Sequence, residues 1–168
     1  LTGEETEVLW VKGSGGDLRT SKKENFSSLY QDKLNALDGV YQNYADKGYK
    51  SAGEDRMVGM FKHCNFCLNP RASSIDTPLH SMIDEKHVDH LHPNAVISVA
   101  SCKAQKELTE LIWGGKLAYV PWMRPGWEAA KLCEDTYAAS PDIWGILLGQ
   151  HGHTNWSSES KSCYETSL

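Results

Sequence analysis

The run Ile143-Trp144-Gly145-Ile146-Leu147-Leu148, followed at once by Gly149-Gln150-His151-Gly152, decides how this chain is read. Six nearly uninterrupted apolar residues closed by a glycine turn predict a strand buried on both faces, and such strands belong to sheets covered by helices. The histidine just past its end stands where α/β sheets gather their ligands. Working back from this strand, Trp127 to Tyr137 reads as a helix entered through Pro125-Gly126, and Leu117 to Val120 as a strand. Lys106 to Trp113 reads as a helix stopped by Gly114-Gly115. The apolar Ala95 to Ala100 is expected to be a core strand following the turn at Pro93-Asn94, and His87 to His92 an extended segment.

Further upstream, Asn69 to Ser74 is a run of turn formers, and a helix is expected to open near Pro78. Asp55 to Phe61 reads as a short helix. Ser21 with Glu24 has the spacing of a capping box, and Phe26, Leu29, Tyr30, Leu34 and Leu37 fit one face of the helix it would start. Glu7 to Lys12 alternates as a strand and runs into Gly13-Ser14-Gly15-Gly16-Asp17, a loop able to cradle an anion. At the other end, Ser157 or Ser158 is expected to cap a last helix. Strands and helices alternating in this way predict one α/β domain over residues 1–168, a three-layer α/β/α sandwich on a mixed or antiparallel sheet.

The chain has 168 residues, a size suited to one core, with 17 Lys+Arg against 22 Asp+Glu. A net charge of −5 excludes a basic face for a nucleic-acid backbone, and no apolar run approaches the roughly 20 residues that span a bilayer. The five cysteines, an odd number, fit a reduced, cytoplasmic setting, and Cys64-x-x-Cys67 lacks the second pair that a zinc ribbon requires. The start at Leu1, without Met or a leader pattern, suggests a fragment of a longer chain. Because Gly13 and Gly15 are followed by Leu18, no dinucleotide fingerprint is present.

Four of the seven histidines fall between His80 and His92. In an extended segment alternate side chains share a face, so His90 and His92, about 6.5 to 7 Å apart at Cα, can converge on one ion. His151 is the natural third ligand, and three imidazoles leave an open position of the kind catalytic zinc keeps. The competing reading of the pair is two surface histidines on a strand edge. Asp76, set among Ser, Thr and Pro, is open to reading as an acid/base or as a helix cap.

Taken in order, the Gly-rich loop after a strand, Ser73-Ser74, Asp76 four before His80, His90-x-His92 and His151-Gly152 resemble the class II aldolase/adducin family. More narrowly, Val8 to Leu18, Asn69 to His80, Val88 to Val96 and Val120 to Glu128 look like the rhamnulose-1-phosphate aldolase domain of bifunctional aldolase/dehydrogenases. The resemblance implies that His90, His92 and His151 bind Zn²⁺ or another divalent ion and that Asp76 is the acid/base. It also implies that Ser14, Gly15, Ser73 and Ser74 hold the substrate phosphate, with Lys12 and Arg124 as looser candidates. The implied reaction is retro-aldol cleavage of L-rhamnulose 1-phosphate, a small-molecule substrate, to dihydroxyacetone phosphate and L-lactaldehyde, in a homotetramer. The alternatives are an epimerase acting on a related sugar phosphate and a non-catalytic, adducin-like interaction module. The family's Gly-Asn-x-Ser phosphate turn has no counterpart in this chain, which again suggests a shortened N-terminus.

Overall fold

The structure, a computed structural model, describes residues 3–168 and divides into two compact units. The first comprises residues up to Met82 together with Pro125–Trp127. Its sheet is a pair: β1 (Val8–Lys12) runs antiparallel to β2 (Phe26–Tyr30), with Val8 opposite Tyr30 and Lys12 opposite Phe26. Three helices follow, α1 (Gln31–Asp46), α2 (Lys50–Met60) and α3 (Thr77–Met82).

The expected helix from Ser21 is corrected here. Ser21 and Glu24 lie in a loop of two 3₁₀ turns, Leu18–Thr20 and Lys23–Asn25, and Ser21 donates its hydroxyl to the Asp17 carbonyl. Phe26–Tyr30 is strand because its alternate residues pair with β1 and its serines are tied to a distant loop. Ser27 donates to the Arg71 carbonyl and Ser28 Oγ to Asn69 Oδ1, so both hydroxyls are buried and satisfied. The helix begins only at Gln31, and Leu34, Leu37 and Tyr41, at i, i+3 and i+7, form its buried stripe. Gly39 does not end it, since packing of that stripe outweighs the roughly 1 kcal/mol that a mid-helix glycine costs. The expected helix at Asp55 starts earlier, at Lys50.

The apolar core of this unit joins Val11, Leu29, Leu34, Leu37, Tyr41, Met57, Phe61, Cys64 and Trp127. Trp127 is held at both its backbone and its ring: its amide donates to Glu54 Oε2 (2.7 Å) and its indole N–H to Asp38 Oδ1 (3.0 Å). Gly126, with φ 142°, leaves room for the buried Glu54 carboxylate, which any Cβ at that position would strike. A buried carboxylate is tolerable only with donors such as this amide.

The second unit comprises residues 83–124 and 128–168. Its sheet has the order β3-β6-β5-β4, built from β3 (His87–Leu91), β4 (Leu117–Val120), β5 (Gly145–Leu148) and β6 (Gly152–Ser157). β3–β6 and β6–β5 are antiparallel and β5–β4 is parallel, so the sheet is mixed, as expected. Helices α4 (Asn94–Ala100), α5 (Gln105–Trp113), α6 (Trp127–Ala139) and α7 (Ser160–Thr166) complete the α/β fold. The four residues of β5 are all buried, as the apolar run requires.

Two expectations fail in this unit. Ala95 to Ala100 is the helix α4, not a strand: Pro93 stands at its N-cap, and the inward positions Val96, Ile97, Val99 and Ala100 follow helical spacing while Ser98 is exposed. Gly152–Ser157 forms a strand that no apolar alternation announces. Part of its buried polar surface is paired inside the fold, with Thr154 Oγ1 donating to the Asp89 carbonyl and Asn155 Nδ2 to the Cys163 carbonyl, while His153 Nδ1 and Asn155 Oδ1 are buried without a hydrogen-bond partner among the described residues. Neither Ser157 nor Ser158 is the N-cap of α7; that position is Glu159, whose amide donates to Ser157 Oγ. All five cysteines are free thiols, and burial pushes Cys133 and Cys163 up to about 12, which keeps them protonated and unreactive. Among the described residues no helix is long and apolar enough to cross a membrane.

Candidate metal centre

Three imidazoles converge at one end of β3 and β6. His90 lies on β3, His92 one residue past the end of that strand, and His151 in the turn between β5 and β6. His90 Nε2 is 3.1 Å from His92 Nε2 and 3.3 Å from His151 Nε2. One ligand atom from each of the three lies within 4.8 Å of the others. Bonds of 2.0 to 2.1 Å to a tetrahedral ion place two nitrogens roughly 3.3 Å apart, so the spacing is that of ligands around a zinc-sized centre.

The hydrogen bonding of His90 identifies which nitrogen is available. Its Nδ1 lies 3.1 Å from the His153 carbonyl, which can only accept, so the neutral ring carries its proton on Nδ1 and turns the Nε2 lone pair toward the other two rings. One lone pair cannot accept two N–H donors well, whereas a cation satisfies three lone pairs together. The donor set therefore fits a divalent ion held by neutral imidazoles. His90 and His151 are half-buried and His92 is exposed, which leaves a side open for a substrate oxygen.

The backbone beneath this cluster is specialised. Gln150 adopts φ 55°, rare for a residue with a side chain, in the tight turn where the His151 amide donates to the Leu148 carbonyl. Its own amide donates to the Ala100 carbonyl, which anchors the turn to α4. At Gly152 a Cβ would collide with the Leu91 carbonyl and come 2.5 Å from His92 Cδ2. The His-Gly pair thus combines a candidate ligand with the gap that lets the neighbouring His92 ring close in. Gly152→Ala is expected to destabilise the protein by about 1 to 3 kcal/mol through overpacking against a backbone oxygen. It should also weaken zinc binding about 10- to 100-fold by displacing His92, the usual cost of disturbing a ligand's support. Thermal melting and zinc titration of the variant check both effects.

His153, next along β6, is not part of this cluster. It is buried, and loss of hydration pushes its ring below the usual histidine range, with the nearby Asp89 and Asn155 acting in the opposite direction. The structure gives neither His63 nor His87 a place among the converging rings.

Of the remaining sequence candidates, Arg124 lies in the second unit and the others in the first. Asp76 precedes α3, and its carboxylate accepts the Ser74 hydroxyl (3.1 Å) while its amide donates to Ser74 Oγ (3.2 Å). At the entrance to α3 the Asp76 carbonyl accepts from the Leu79 amide and the Ser74 carbonyl from the Thr77 hydroxyl and amide. Ser73 forms an isolated antiparallel bridge with Gly13, which brings the serine pair to the glycine loop. The loop departs from the expected anion cradle in one respect: the Lys12 ammonium donates to the carbonyls of Gly13, Gly15 and Gly16. Those carbonyls face a cation, so any negative ligand must be met by other groups of the loop.

A family model, the class II aldolase and adducin N-terminal domain, matches residues 2–167. The chain belongs to the class II aldolase family. It is 36% identical over 166 residues to the uncharacterized oxidoreductase YuxG of Bacillus subtilis (strain 168), covering 99% of this chain and 23% of that protein. The family member described here therefore spans about a quarter of the curated relative's length. In fold it is similar to the N-terminal class II aldolase domain of a conserved protein from Thermoplasma acidophilum, with a TM-score of 0.78, 24% identity, and 95% of this chain and 69% of that one covered. It is also similar to an aldolase II superfamily protein from Pseudomonas syringae, with a TM-score of 0.58, 13% identity, and 98% and 57% covered.

Proposed function

We propose that this class II aldolase domain is a divalent-metal-dependent lyase that cleaves L-rhamnulose 1-phosphate to dihydroxyacetone phosphate and L-lactaldehyde. The observation that carries the reading is the convergence of the three Nε2 atoms of His90, His92 and His151 at ligand spacing. Bound there, Zn²⁺ or a similar ion would supply Lewis-acid stabilisation of the negative charge that cleavage leaves on the ketone half.

The chain's own residues account for the other requirements. His90 presents a fixed lone pair because the His153 carbonyl holds its opposite nitrogen. Asp76 is the acid/base: as the C3–C4 bond breaks, its electrons stay on C3, the C4 hydroxyl loses its proton to become the aldehyde, and Asp76 delivers a proton to C3. No electron leaves the substrate, so the reaction needs no nicotinamide. The Ser74 hydroxyl donates to the Asp76 carboxylate and fixes its orientation. Ser14, Gly15, Ser73 and Ser74 are the groups assigned to the phosphate. A cytoplasmic homotetramer completes the proposal, in line with the free thiols and the family.

The test is release of dihydroxyacetone phosphate from L-rhamnulose 1-phosphate, followed with and without zinc. The proposal expects release that stops when the metal is chelated and resumes on its return. Isomerisation of a pentulose phosphate without cleavage would favour the epimerase reading. No turnover of either substrate by zinc-loaded protein would favour a non-catalytic module.

A further inference from the structure

We propose that Arg71 is a phosphate-binding residue, its guanidinium supplying the charge that selects a phosphorylated ketose over its unphosphorylated counterpart. The inference rests on the sugar-phosphate reading above and adds to it a residue outside the serine and glycine set. The starting point is Gly13. A Cβ there would lie 2.7 Å from the Ala72 carbonyl oxygen, 2.9 Å from Arg71 Cδ and 3.1 Å from Arg71 Cγ, so the aliphatic stem of Arg71 lies flat on this glycine.

The stem carries the guanidinium over the loop. Arg71 Nη1 is 3.8 Å, and Lys12 Nζ 3.9 Å, from the point a Gly16 Cβ would occupy. Two cations thus both lie within 4 Å of one point above the glycine turn, and like charges so placed repel. Among the described residues neither side chain forms an ion pair with a carboxylate. The Lys12 ammonium is already engaged by three loop carbonyls, whereas the guanidinium of Arg71 makes no hydrogen bond among the described residues. A dianionic phosphate placed between them relieves the repulsion and gains the two-pronged geometry that arginine offers and lysine does not.

The surroundings suit the same ligand. Gly15 and Gly16 hold φ of 75° and 77°, and a Cβ at Gly15 would meet nothing within 4 Å, so the loop is open on that side. Ser73, two residues after Arg71, is bridged to Gly13. The Ser74 hydroxyl donates to Asp76 in this structure and would have to turn to reach the anion, so Ser14, Ser73 and the two cations meet it first. In a chain of net charge −5, affinity for a phosphate dianion has to be local.

The test titrates inorganic phosphate into the wild-type protein, Arg71→Gln and Arg71→Lys by calorimetry, with dihydroxyacetone as the uncharged control. Arg71→Gln keeps Cγ and Cδ on Gly13 and removes the charge, so phosphate affinity should fall at least tenfold. Arg71→Lys keeps the charge without the fork and should lose several-fold, giving an independent reading if the glutamine variant folds poorly. Heat from dihydroxyacetone should be the same in all three. Phosphate affinity unchanged in both folded variants, or no phosphate binding by the wild type, would overturn the inference. Phosphate binding that is lost with Arg71, in a protein that releases no dihydroxyacetone phosphate from the sugar, would uphold it while refuting the proposed aldolase activity.

Discussion

His90→Ala is expected to remove the metal and, with it, turnover. His90 is the central residue of the proposed metal site: its Nε2 is the atom that lies close to both of the others, and its Nδ1 is anchored on the His153 carbonyl. Loss of a ring that supports a ligand typically weakens metal binding 10- to 100-fold, and loss of the ligand itself should exceed about 100-fold. The fold should survive, because the half-buried ring contributes little to either apolar core. Melting curves check this directly, since zinc at 100 times its Kd stabilises a protein that binds it only when folded by about 2.7 kcal/mol. Zinc should raise the melting temperature of the wild type and leave that of His90→Ala unchanged. An equal rise in both proteins would place the metal elsewhere.

Asp76→Asn should separate chemistry from metal binding and from stability. Asparagine keeps an oxygen able to accept the Ser74 hydroxyl, and the entrance to α3 is secured by Ser74, so the melting temperature should move by no more than about 0.5 kcal/mol allows. Zinc content should also be unchanged. What is lost is the ability to carry a proton, and the rate of dihydroxyacetone phosphate release should fall about 10²- to 10⁴-fold. A near-normal rate would remove Asp76 from the acid/base role. A large fall in stability would instead make it a structural residue.

The legible parts of the fold were those whose pattern arises within a single element. Ile146, Leu147 and Leu148 read as a buried strand because a strand covered on both faces has to be apolar throughout. Leu34 and Leu37 lie on a helix as their spacing predicts, but the helix starts later than the capping pattern at Ser21 and Glu24 implies, because pairing of Phe26–Tyr30 with β1 overrides that pattern. Val96, Ile97 and Val99 carry strand propensity yet form α4, since a proline start and one-sided burial decide in favour of the helix.

The same division holds at the candidate site. His90-x-His92 and His151-Gly152 are visible in the sequence, and the strand period predicts that the first two share a face. Their support was not visible. The carbonyl that orients His90 belongs to His153 on β6, a strand whose His-Thr-Asn-Trp-Ser composition hides it: what makes it a strand is pairing with β3 and β5, and its Thr154 hydroxyl finds its acceptor on Asp89, 65 residues away. The gap at Gly152 and the stem of Arg71 on Gly13 are likewise tertiary facts; a glycine in the sequence states only that a Cβ is missing, not what fills its place.

The most direct measurement is anomalous X-ray scattering on either side of the zinc edge, from crystals of this chain grown with zinc. One strong peak is expected within about 2.0 to 2.1 Å of Nε2 of His90, His92 and His151, with a remaining position open to solvent or substrate. A peak bound elsewhere, or no peak between the three rings at saturating zinc, would contradict the proposed metal site.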